Sequence, residues 1–526
     1  MMVRQCSPRS FWLRVFYVAV ESLLPLLNLY ILKLLIDSVT ATTTHYPLST
    51  THLLLAMCAV FLLNRVVQAL NGINNDILGQ RLIDHVSDLI QRQSARLDMQ
   101  YYDTPAYHDT FHRAQQEANF RPLQVLSNFM ALGGSLLSIA GVVAMLVSAS
   151  WWVIVVMIAA VLPGFAVRLY KARSIYRFRR SNTQLYRRTS YYGALLTGRD
   201  YAKELRAFGL AALFRGRFVE ARRMLVGRLL SISRRLGMLD VLCAVVEAAA
   251  MFAIVWLLLR QTLAAAITVG TFVMLFEAFR RGQGYLSSLV AGVAGLYDNR
   301  LFVGNLFEFL DLRPSILPPA QPVPFPEGVQ QVEFRDITFR YPDMQRDVLQ
   351  HFNLTARRGE ITRIDGRNGF GKSTVVKLML RLYDPGEGQV LVDGTDLRRF
   401  DLRDLRSHLG VLFQDFVRYN LTVRENIVPN GEQHSTPNTQ PSTLLDFVDR
   451  LPQGLQTQLG RLFDGGSELS MGQWQRLAIA RAVASDAPIL LFDEPTAWLD
   501  HTARQHFDNL LHSLAPDKII ILITHS

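Results

Sequence analysis

The pattern of apolar and polar positions divides the chain into two unlike parts. Over roughly the first 310 residues, apolar runs of about 20 residues recur, which is the length an α-helix needs to cross a membrane. Six runs are expected to do so, at residues 13–36, 51–73, 124–147, 151–172, 238–260 and 268–294. The pattern therefore predicts an all-α transmembrane domain of six spans.

The second and fourth runs continue into more polar sequence, over residues 77–96 and 172–196. Apolar residues recur there every three or four positions, which favours amphipathic helices. We therefore expect both spans to continue as long helices into water.

Residues 313–328 contain six prolines, which excludes a helix and favours an extended, semi-rigid spacer. Beyond them, short apolar runs such as Ile489–Phe492 are typical of strands buried on both faces of a parallel sheet. The predicted organisation is a transmembrane domain with cytoplasmic helical extensions at 1–312, a linker at 313–328 and an α/β domain at 329–526. The polar segment 429–442 is expected to be a surface loop.

Charge adds an orientation to this plan. The chain has a net charge of +11, and arginines are concentrated after the fourth run, between Arg168 and Arg188, and near the amino terminus. The loops at 40–50 and 148–152 contain no Lys or Arg. The positive-inside rule then predicts that both termini and the helical extensions are cytoplasmic. Because the basic runs flank apolar spans, we interpret them as membrane flanks rather than a nucleic-acid surface.

Ionisable residues also fall inside the predicted spans: Glu21, Lys33, Arg65, Glu247 and Glu277. Charges at membrane depth usually face a cavity or pair with one another. They are candidates for lining a substrate path, although snorkelling or pairing between helices would explain them equally well.

The most informative motif is Gly366–Thr374, which reads Gly, four residues, Gly, Lys, Ser, Thr between a predicted strand and a predicted helix. Such a loop directs backbone N–H groups and a helix N-terminus at phosphates. Lys372 would reach the terminal phosphates, and Ser373 would bind Mg²⁺. The remaining residues expected to bind nucleotide here are Gly366, Asn368, Gly369, Gly371 and Thr374.

A second nucleotide element follows about 120 residues later, where the apolar run Ile489–Phe492 ends in Asp493 and Glu494. Open α/β sheets bind ligands at the carboxyl ends of their strands. We expect Asp493 to serve the metal and Glu494 to polarise the attacking water.

Between these elements, Leu469-Ser470-Met471-Gly472-Gln473 resembles the signature of the ATP-binding cassette (ABC) superfamily, Leu-Ser-Gly-Gly-Gln. The resemblance extends in order through about the last 200 residues. It implies an α/β P-loop NTPase cassette with a helical subdomain. Two cassettes would close head to tail, with each ATP between one phosphate loop and the other cassette's signature.

The resemblance also implies individual roles. Tyr341 looks like the aromatic residue that stacks on adenine, and Gln414 like the glutamine that couples Mg²⁺ to the membrane domain. Asp500 matches the loop that crosses to the partner, and His525 the switch histidine at the γ-phosphate. Ser470, Gly472 and Gln473 would serve the partner's nucleotide.

Three features depart from the family pattern. Met471 replaces a glycine of the signature, Trp498 replaces a usually small residue, and the sequence stops at Ser526, one residue after His525. We therefore expect the cassette to be incomplete at its carboxyl end.

Six spans fused ahead of one cassette resemble an exporter-type ABC half-transporter. The segments Met99–Tyr107, followed by Phe111–Ala114, and Glu204–Gly209 fit its coupling helices. The implied function is export of a peptide, lipid or hydrophobic small molecule, driven by hydrolysis of ATP with Mg²⁺. The implied location is the bacterial inner membrane, in contact with lipid, and the implied partner is a second half-transporter, identical or different.

Two alternatives belong to other classes. Met471 and the early end of the sequence would also suit a catalytically impaired ATP-binding partner in a heterodimer, whereas Glu494 and His525 argue against it. A soluble ABC ATPase acting on nucleic acid is contradicted by the six predicted spans, so no nucleic-acid partner is expected.

Overall fold

The structure is a computed structural model of the chain. It describes residues 6–40, 49–104, 118, 120–147, 151–366, 371–429 and 444–524. Several predictions concern residues outside these ranges, namely most of the loop 40–50, the turn 148–150, the segment Phe111–Ala114, Asn368, Gly369, most of the loop 429–442, and His525. The chain forms two compact units, one of Met1–Gln93 with Phe111–Asp311 and one of Ser94–Thr110 with Leu312–Ser526.

The described residues before the linker form nine helices. They are α1 (Pro8–Thr40), α2 (Thr50–Arg96), α3 (Met99–Asp103), α4 (Arg121–Val147), α5 (Trp151–Ser181), α6 (Thr183–Thr197), α7 (Ala202–Ala207), α8 (Ala211–Leu263) and α9 (Val269–Leu310). Each of the six predicted spans falls on a different one of the long helices. The strongly basic extension after the fourth span is helical, as its periodicity predicts.

Four of these helices, α1, α2, α4 and α8, are long and apolar enough to cross a membrane. Their large apolar side chains are widely exposed in the isolated chain; Phe252 and Leu55, for example, are 77% and 64% exposed. Exposed apolar surface on this scale is typical of helices whose solvent is lipid. The remaining two predicted spans lie on α5 and α9, and α9 carries Glu277, Arg280 and Arg281 within its apolar stretch.

The first unit is held together by apolar side chains from α1, α4, α8 and α9. Leu29, Val142, Ile254 and Phe279 are almost completely buried within this cluster. Close helix contacts depend on small residues, because a Cβ on Gly270 would lie 2.3 Å from the Lys33 carbonyl oxygen. The Gly270 backbone N–H also donates to Asp37 Oδ1 at 2.9 Å, which satisfies a buried carboxylate oxygen of α1.

The second unit contains two four-stranded sheets. An antiparallel sheet of order β2-β1-β4-β5 comprises β1 (Gln331–Phe339), β2 (Leu349–Arg357), β4 (Glu387–Val392) and β5 (Thr395–Asp396). A parallel sheet of order β3-β8-β7-β6 comprises β3 (Ile361–Asp365), β6 (Leu409–Leu412), β7 (Ile489–Asp493) and β8 (Ile519–Thr524). All five residues of β7 are buried, as its continuous apolar sequence predicts.

Helices cover the sheets of this unit. They are α10 (Lys372–Met379), α11 (Leu402–Ser407), α12 (Val423–Ile427), α13 (Met471–Ala484) and α14 (His501–Leu514). A separate small core of Val423, Phe447, Leu459, Trp474 and Leu477 packs α12 against α13. This core forms the helical subdomain, and the prediction of an α/β cassette with such a subdomain is confirmed.

The segment Ser94–Thr110 belongs to the second unit, where α3 packs beside the start of the linker. The Asp98 carboxylate accepts hydrogen bonds from the backbone N–H and the hydroxyl of Ser315 and, at 3.1 Å, from the N–H of Ile316. The Tyr101 hydroxyl donates to the Arg313 carbonyl oxygen at 2.8 Å. The Tyr383 hydroxyl donates to Asp103, and burial together with this carboxylate raises the pKa of Tyr383.

We predict that Asp98→Ala lowers the stability of the second unit by about 1–2 kcal/mol, because three hydrogen bonds to one carboxylate are lost. Thermal unfolding of the purified protein would measure this change, and proteolysis within residues 313–328 should become faster. The control is Asp88→Ala, whose carboxylate pairs with the exposed Arg92 one turn away and should matter little. Equal effects of the two substitutions would contradict the prediction.

Candidate functional site

The phosphate loop connects β3 to α10, in the strand–loop–helix order that its sequence predicts. Gly371 closes the loop with φ +78°, a conformation that favours glycine. A Cβ there would lie 2.8 Å from Leu349 Cδ2 and 3.0 Å from the Val348 carbonyl oxygen. The helix begins immediately afterwards, so that Lys372, Ser373 and Thr374 form its first turn. The N-terminus of a helix favours an anion, because the helix dipole places partial positive charge there.

Lys372 lies at the carboxyl edge of the parallel sheet. Its ammonium donates to the Gly366 carbonyl oxygen at 2.7 Å and to the Thr524 carbonyl oxygen at 3.0 Å. Gly366 follows β3, and Thr524 ends β8. The side chain is only 8% exposed, so its positive charge lies at the base of the loop rather than in open solvent.

Asp493 and Glu494 emerge from β7 at the same edge. Asp493 ends the strand and is 2% exposed. Glu494 adopts φ +51°, which is unusual for a residue other than glycine, and its N–H donates to the Ile523 carbonyl oxygen at 3.1 Å. Such backbone conformations are typical of functional sites, where the surrounding structure compensates for their strain.

Gln414 follows β6, the strand next to β7, and its Nε2 donates to Glu494 Oε1 at 2.8 Å. The sequence assigns separate roles to these two residues, whereas the structure brings their side chains into direct contact. The hydrogen bond directs the Gln414 amide N–H₂ at Glu494 and turns the amide oxygen away from it. A candidate base, Glu494, and a candidate metal ligand, Gln414, are therefore mutually oriented.

Gln475 is a residue of the site that the sequence analysis missed. It lies on α13, is 2% exposed, and donates from Nε2 to the Glu494 carbonyl oxygen at 3.0 Å. Its Oε1 accepts from the Trp498 backbone N–H at 2.8 Å. Gln475 thus fixes both ends of the segment after β7. The available signal was an amide on the face of α13 that otherwise carries Ala478, Ile479 and Ala482 into the core.

The signature residues begin α13. The Ser470 hydroxyl accepts from the Gln473 N–H, while Gln473 Oε1 accepts from the Ser470 N–H at 2.8 Å, which forms a capping box. Gly472 lies against the segment after β7, since a Cβ on it would be 2.8 Å from the Trp498 carbonyl oxygen. Met471 is 37% exposed, and its Sδ lies 3.5 Å from Arg418 Nη1.

Two further predicted residues have defined surroundings. Tyr341 lies beside the phosphate loop, because its hydroxyl is 3.0 Å from Thr374 Oγ1 and its ring packs edge-on against Tyr383. Its role in stacking on adenine stays a prediction. Asp500 caps α14 by accepting from the Ala503 N–H at 2.7 Å. Asn368, Gly369 and His525 lie outside the described residues.

These observations define the site. The carboxyl ends of four adjacent parallel strands form one edge of the sheet, where ligands bind in open α/β sheets. This edge carries Lys372, Gln414, Asp493 and Glu494. The arrangement combines a phosphate-binding loop, a buried carboxylate, and a second carboxylate oriented by an amide.

Comparisons with known proteins agree with this geometry. Residues 349–497 match the family described as ABC transporter. The chain is 25% identical to the subtilin transport ATP-binding protein SpaT of Bacillus subtilis, over 98% of this chain and 85% of that protein. It is 26% identical to the nisin transport ATP-binding protein NisT of Lactococcus lactis, over 97% and 85%. An ATP-dependent lipid A-core flippase of Syntrophus aciditrophicus is 34% identical over 50% of this chain and 44% of that protein.

A solved structure of a bacterial Atm1-family ABC exporter with ATP bound covers 100% of this chain and 91% of its own, with a TM-score of 0.79 and 22% identity. That likeness shows the fold. The family match places an ABC transporter ATP-binding domain at residues 349–497, and this chain carries that domain fused behind a helical transmembrane part, as in an exporter-type half-transporter. The protein is an integral membrane protein whose ATPase activity is coupled to transport.

We predict that Gly472→Ala strongly reduces ATP hydrolysis, because the added methyl group meets a backbone carbonyl oxygen that can move only with the Glu494–Asp500 segment. Overpacking of this kind typically costs about 1–3 kcal/mol. Gly386→Ala is the control, since its Cβ would lie 3.4 Å from the Thr338 carbonyl oxygen, an ordinary van der Waals contact. Normal turnover by the Gly472 variant would show that the close approach is unimportant.

A second prediction concerns Gln475→Leu, which keeps the side-chain size but removes both amide hydrogen bonds. Leaving the Glu494 carbonyl and the Trp498 N–H without this partner should cost about 1–3 kcal/mol and lower the rate of hydrolysis. Thermal unfolding and steady-state ATPase rates would measure both effects. The same change at the exposed Gln389 is the control, and matching behaviour of the two variants would refute the bridging role.

Proposed function

We propose that the chain forms a dimer that binds two ATP molecules with Mg²⁺ and exports a peptide across the bacterial inner membrane. The contact between Gln414 and Glu494 at the carboxyl edge of the parallel sheet carries this proposal. It orients a carboxylate in the vicinity expected for an attacking water, beside a loop built for phosphates. In-line phosphoryl transfer to water requires positioning and charge stabilisation of this kind.

The residues present fit a magnesium ion. Ser373, Gln414 and Asp493 offer a hydroxyl, an amide oxygen and a carboxylate, and Mg²⁺ prefers oxygen ligands. The hydrogen bond to Glu494 leaves the Gln414 amide oxygen directed elsewhere, as a metal ligand requires. When bound, the ion would neutralise charge on the phosphate oxygens.

The protein's own residues would carry out the remaining steps. Lys372 binds the terminal phosphates, Tyr341 stacks on adenine, and Glu494 polarises the water. The loop residues Gly366, Asn368, Gly369, Gly371 and Thr374 surround the phosphates, and His525 contacts the γ-phosphate. Ser470, Gly472 and Gln473 contact the partner's nucleotide, and Asp500 lies at the crossing between the two cassettes.

The position of the signature on a helix other than the one that follows the phosphate loop supports the proposed dimer. Ser470 and Gln473 are hydrogen-bonded to each other at the start of α13, so that the helix N-terminus is oriented as a unit for an external phosphate. We propose a homodimer, because Glu494 and the phosphate loop are both present. An impaired partner subunit would lack a hydrolytic residue.

The peptide substrate rests on the extent of the similarities. The two relatives that cover nearly the whole chain, 98% and 97% of it, are named for transport of subtilin and nisin. The lipid A-core flippase matches only half of the chain.

The distribution of Lys and Arg supports cytoplasmic termini. The proposed domains are a transmembrane domain at 1–312, a linker at 313–328 and a cassette at 329–526.

We predict that Glu494→Gln abolishes Mg²⁺-dependent ATP hydrolysis in lipid nanodiscs, with a loss of at least about 100-fold, while ATP binding is retained. The amide keeps the shape of the side chain but cannot act as a base. Glu360→Gln, an exposed change in the same domain, should hydrolyse ATP normally.

Two other outcomes are informative. Unchanged turnover of the Glu494 variant would remove that residue from catalysis. Absent turnover in the unmodified protein, with ATP still bound, would instead favour the heterodimer, and hydrolysis should then appear only after a second half-transporter is added.

A further inference from the structure

A cavity of about 570 Å³ lies in the first unit between α1, α2 and α9. Its walls come from the predicted first, second and sixth spans, so it lies at membrane depth. The volume falls within the range of about 300–1,000 Å³ that is usual for small-ligand sites. Pro25 contributes to the wall and lies inside α1, where its missing N–H interrupts the helical hydrogen bonds.

Arg280 and Arg281 give the cavity an excess of positive charge. Both line it, and among the described lining residues none is acidic. One carboxylate serves both arginines from the preceding turn, because Glu277 Oε2 lies 2.8 Å from Arg280 Nη2 and 3.8 Å from Arg281 Nε. Arg281 Nη1 also donates to the Pro25 carbonyl oxygen at 3.4 Å. The three ionised side chains therefore leave one net positive charge at membrane depth, where an uncompensated charge is costly.

The cavity is also lined by two amide side chains, on the helices that face the arginines of α9. Asn28 on α1 and Asn64 on α2 line the cavity, and the side-chain oxygen of each is buried without a hydrogen-bond partner among the described residues. Buried acceptors of this kind normally have a donor. Leu24, Val60 and Phe61 supply apolar surface beside them.

We propose that this cavity binds the carboxyl-terminal end of the exported peptide, an inference that rests on the peptide substrate proposed above. The terminal carboxylate pairs with Arg280 and Arg281, which are suited to bidentate recognition of carboxylates. The peptide N–H groups donate to the Asn28 and Asn64 oxygens. The last side chain packs against Leu24 and Phe61. A carboxylate, N–H donors and an apolar group within a few ångströms occur together at a peptide's carboxyl end.

Binding of a matched pair of probes tests the proposal. One probe is an apolar pentapeptide with an amino-terminal dansyl label and a free carboxyl terminus, and the other is its carboxyl-terminal amide. Affinities are measured by fluorescence in nanodiscs of phosphatidylcholine, without nucleotide, and ATP hydrolysis is measured on the same preparation. We expect the free acid to bind about tenfold more tightly than the amide, because one charge-assisted interaction is lost in the amide.

The variants assign this preference to the cavity. Arg281→Gln should reduce the preference for the acid to less than about twofold, whereas Arg281→Lys, which keeps the charge but loses the bidentate geometry, should retain part of it. Arg260→Gln changes an exposed arginine at the end of α8 and should leave both the preference and ATP hydrolysis intact. Asn64→Leu should weaken both probes equally, since both contain the N–H donors.

The opposite results would overturn the proposal. Equal affinity for acid and amide in a preparation that hydrolyses ATP would refute it and leave the proposed ATPase function standing. A preference that survives Arg281→Gln would place the carboxylate elsewhere. Loss of the preference in discs containing phosphatidylglycerol, accompanied by weaker retention of that lipid in Arg281→Gln, would assign the cavity to an anionic lipid headgroup instead. Failure of both peptides to bind would refute the peptide substrate itself.

Discussion

The pairing of four parallel strands, β3-β8-β7-β6, is the constraint on which the nucleotide site depends. Its register places Asp365 beside Thr524, Asp493 beside Ile523, and Leu412 beside Phe492. Because β7 and nearly all of β8 are buried, the polar residues of these two strands, Asp493 and Thr524, stand where the strands end. One edge of the sheet consequently carries Lys372, Asp493, Glu494 and Gln414. More than 100 residues separate Lys372 from Asp493 along the chain.

The segment that follows β7 depends on that edge for its shape. Glu494 has a left-handed backbone conformation, and the Ile523 carbonyl and the Gln475 side chain bind its N–H and C=O groups. Gly472 and Trp498 are in close backbone contact a few residues further on. The signature helix and the segment Glu494–Asp500 are therefore one packed structure.

The membrane unit follows a different rule, in which much of its apolar surface faces outward. Its large exposed apolar side chains suit contact with lipid, while Arg280 and Arg281, which both pair with Glu277, line a cavity. Of the ionisable residues singled out in the spans, Glu21 accepts a hydrogen bond from Asn71 and Glu277 pairs with arginines. Pairing between helices thus describes Glu21, whereas Glu277 pairs within its own helix.

The sequence alone determined the order of the spans, the proline-rich linker, the phosphate loop and the strand ending in Asp493. It could do so because length, periodicity and motif spacing are properties of short segments. It did not reveal the Gln414–Glu494 contact or the bridge made by Gln475, since these join residues 80, 19 and 23 positions apart. Nor did it show that Arg280, Asn28 and Asn64 face one cavity. Such contacts are fixed by strand register and helix packing, which only the tertiary structure decides.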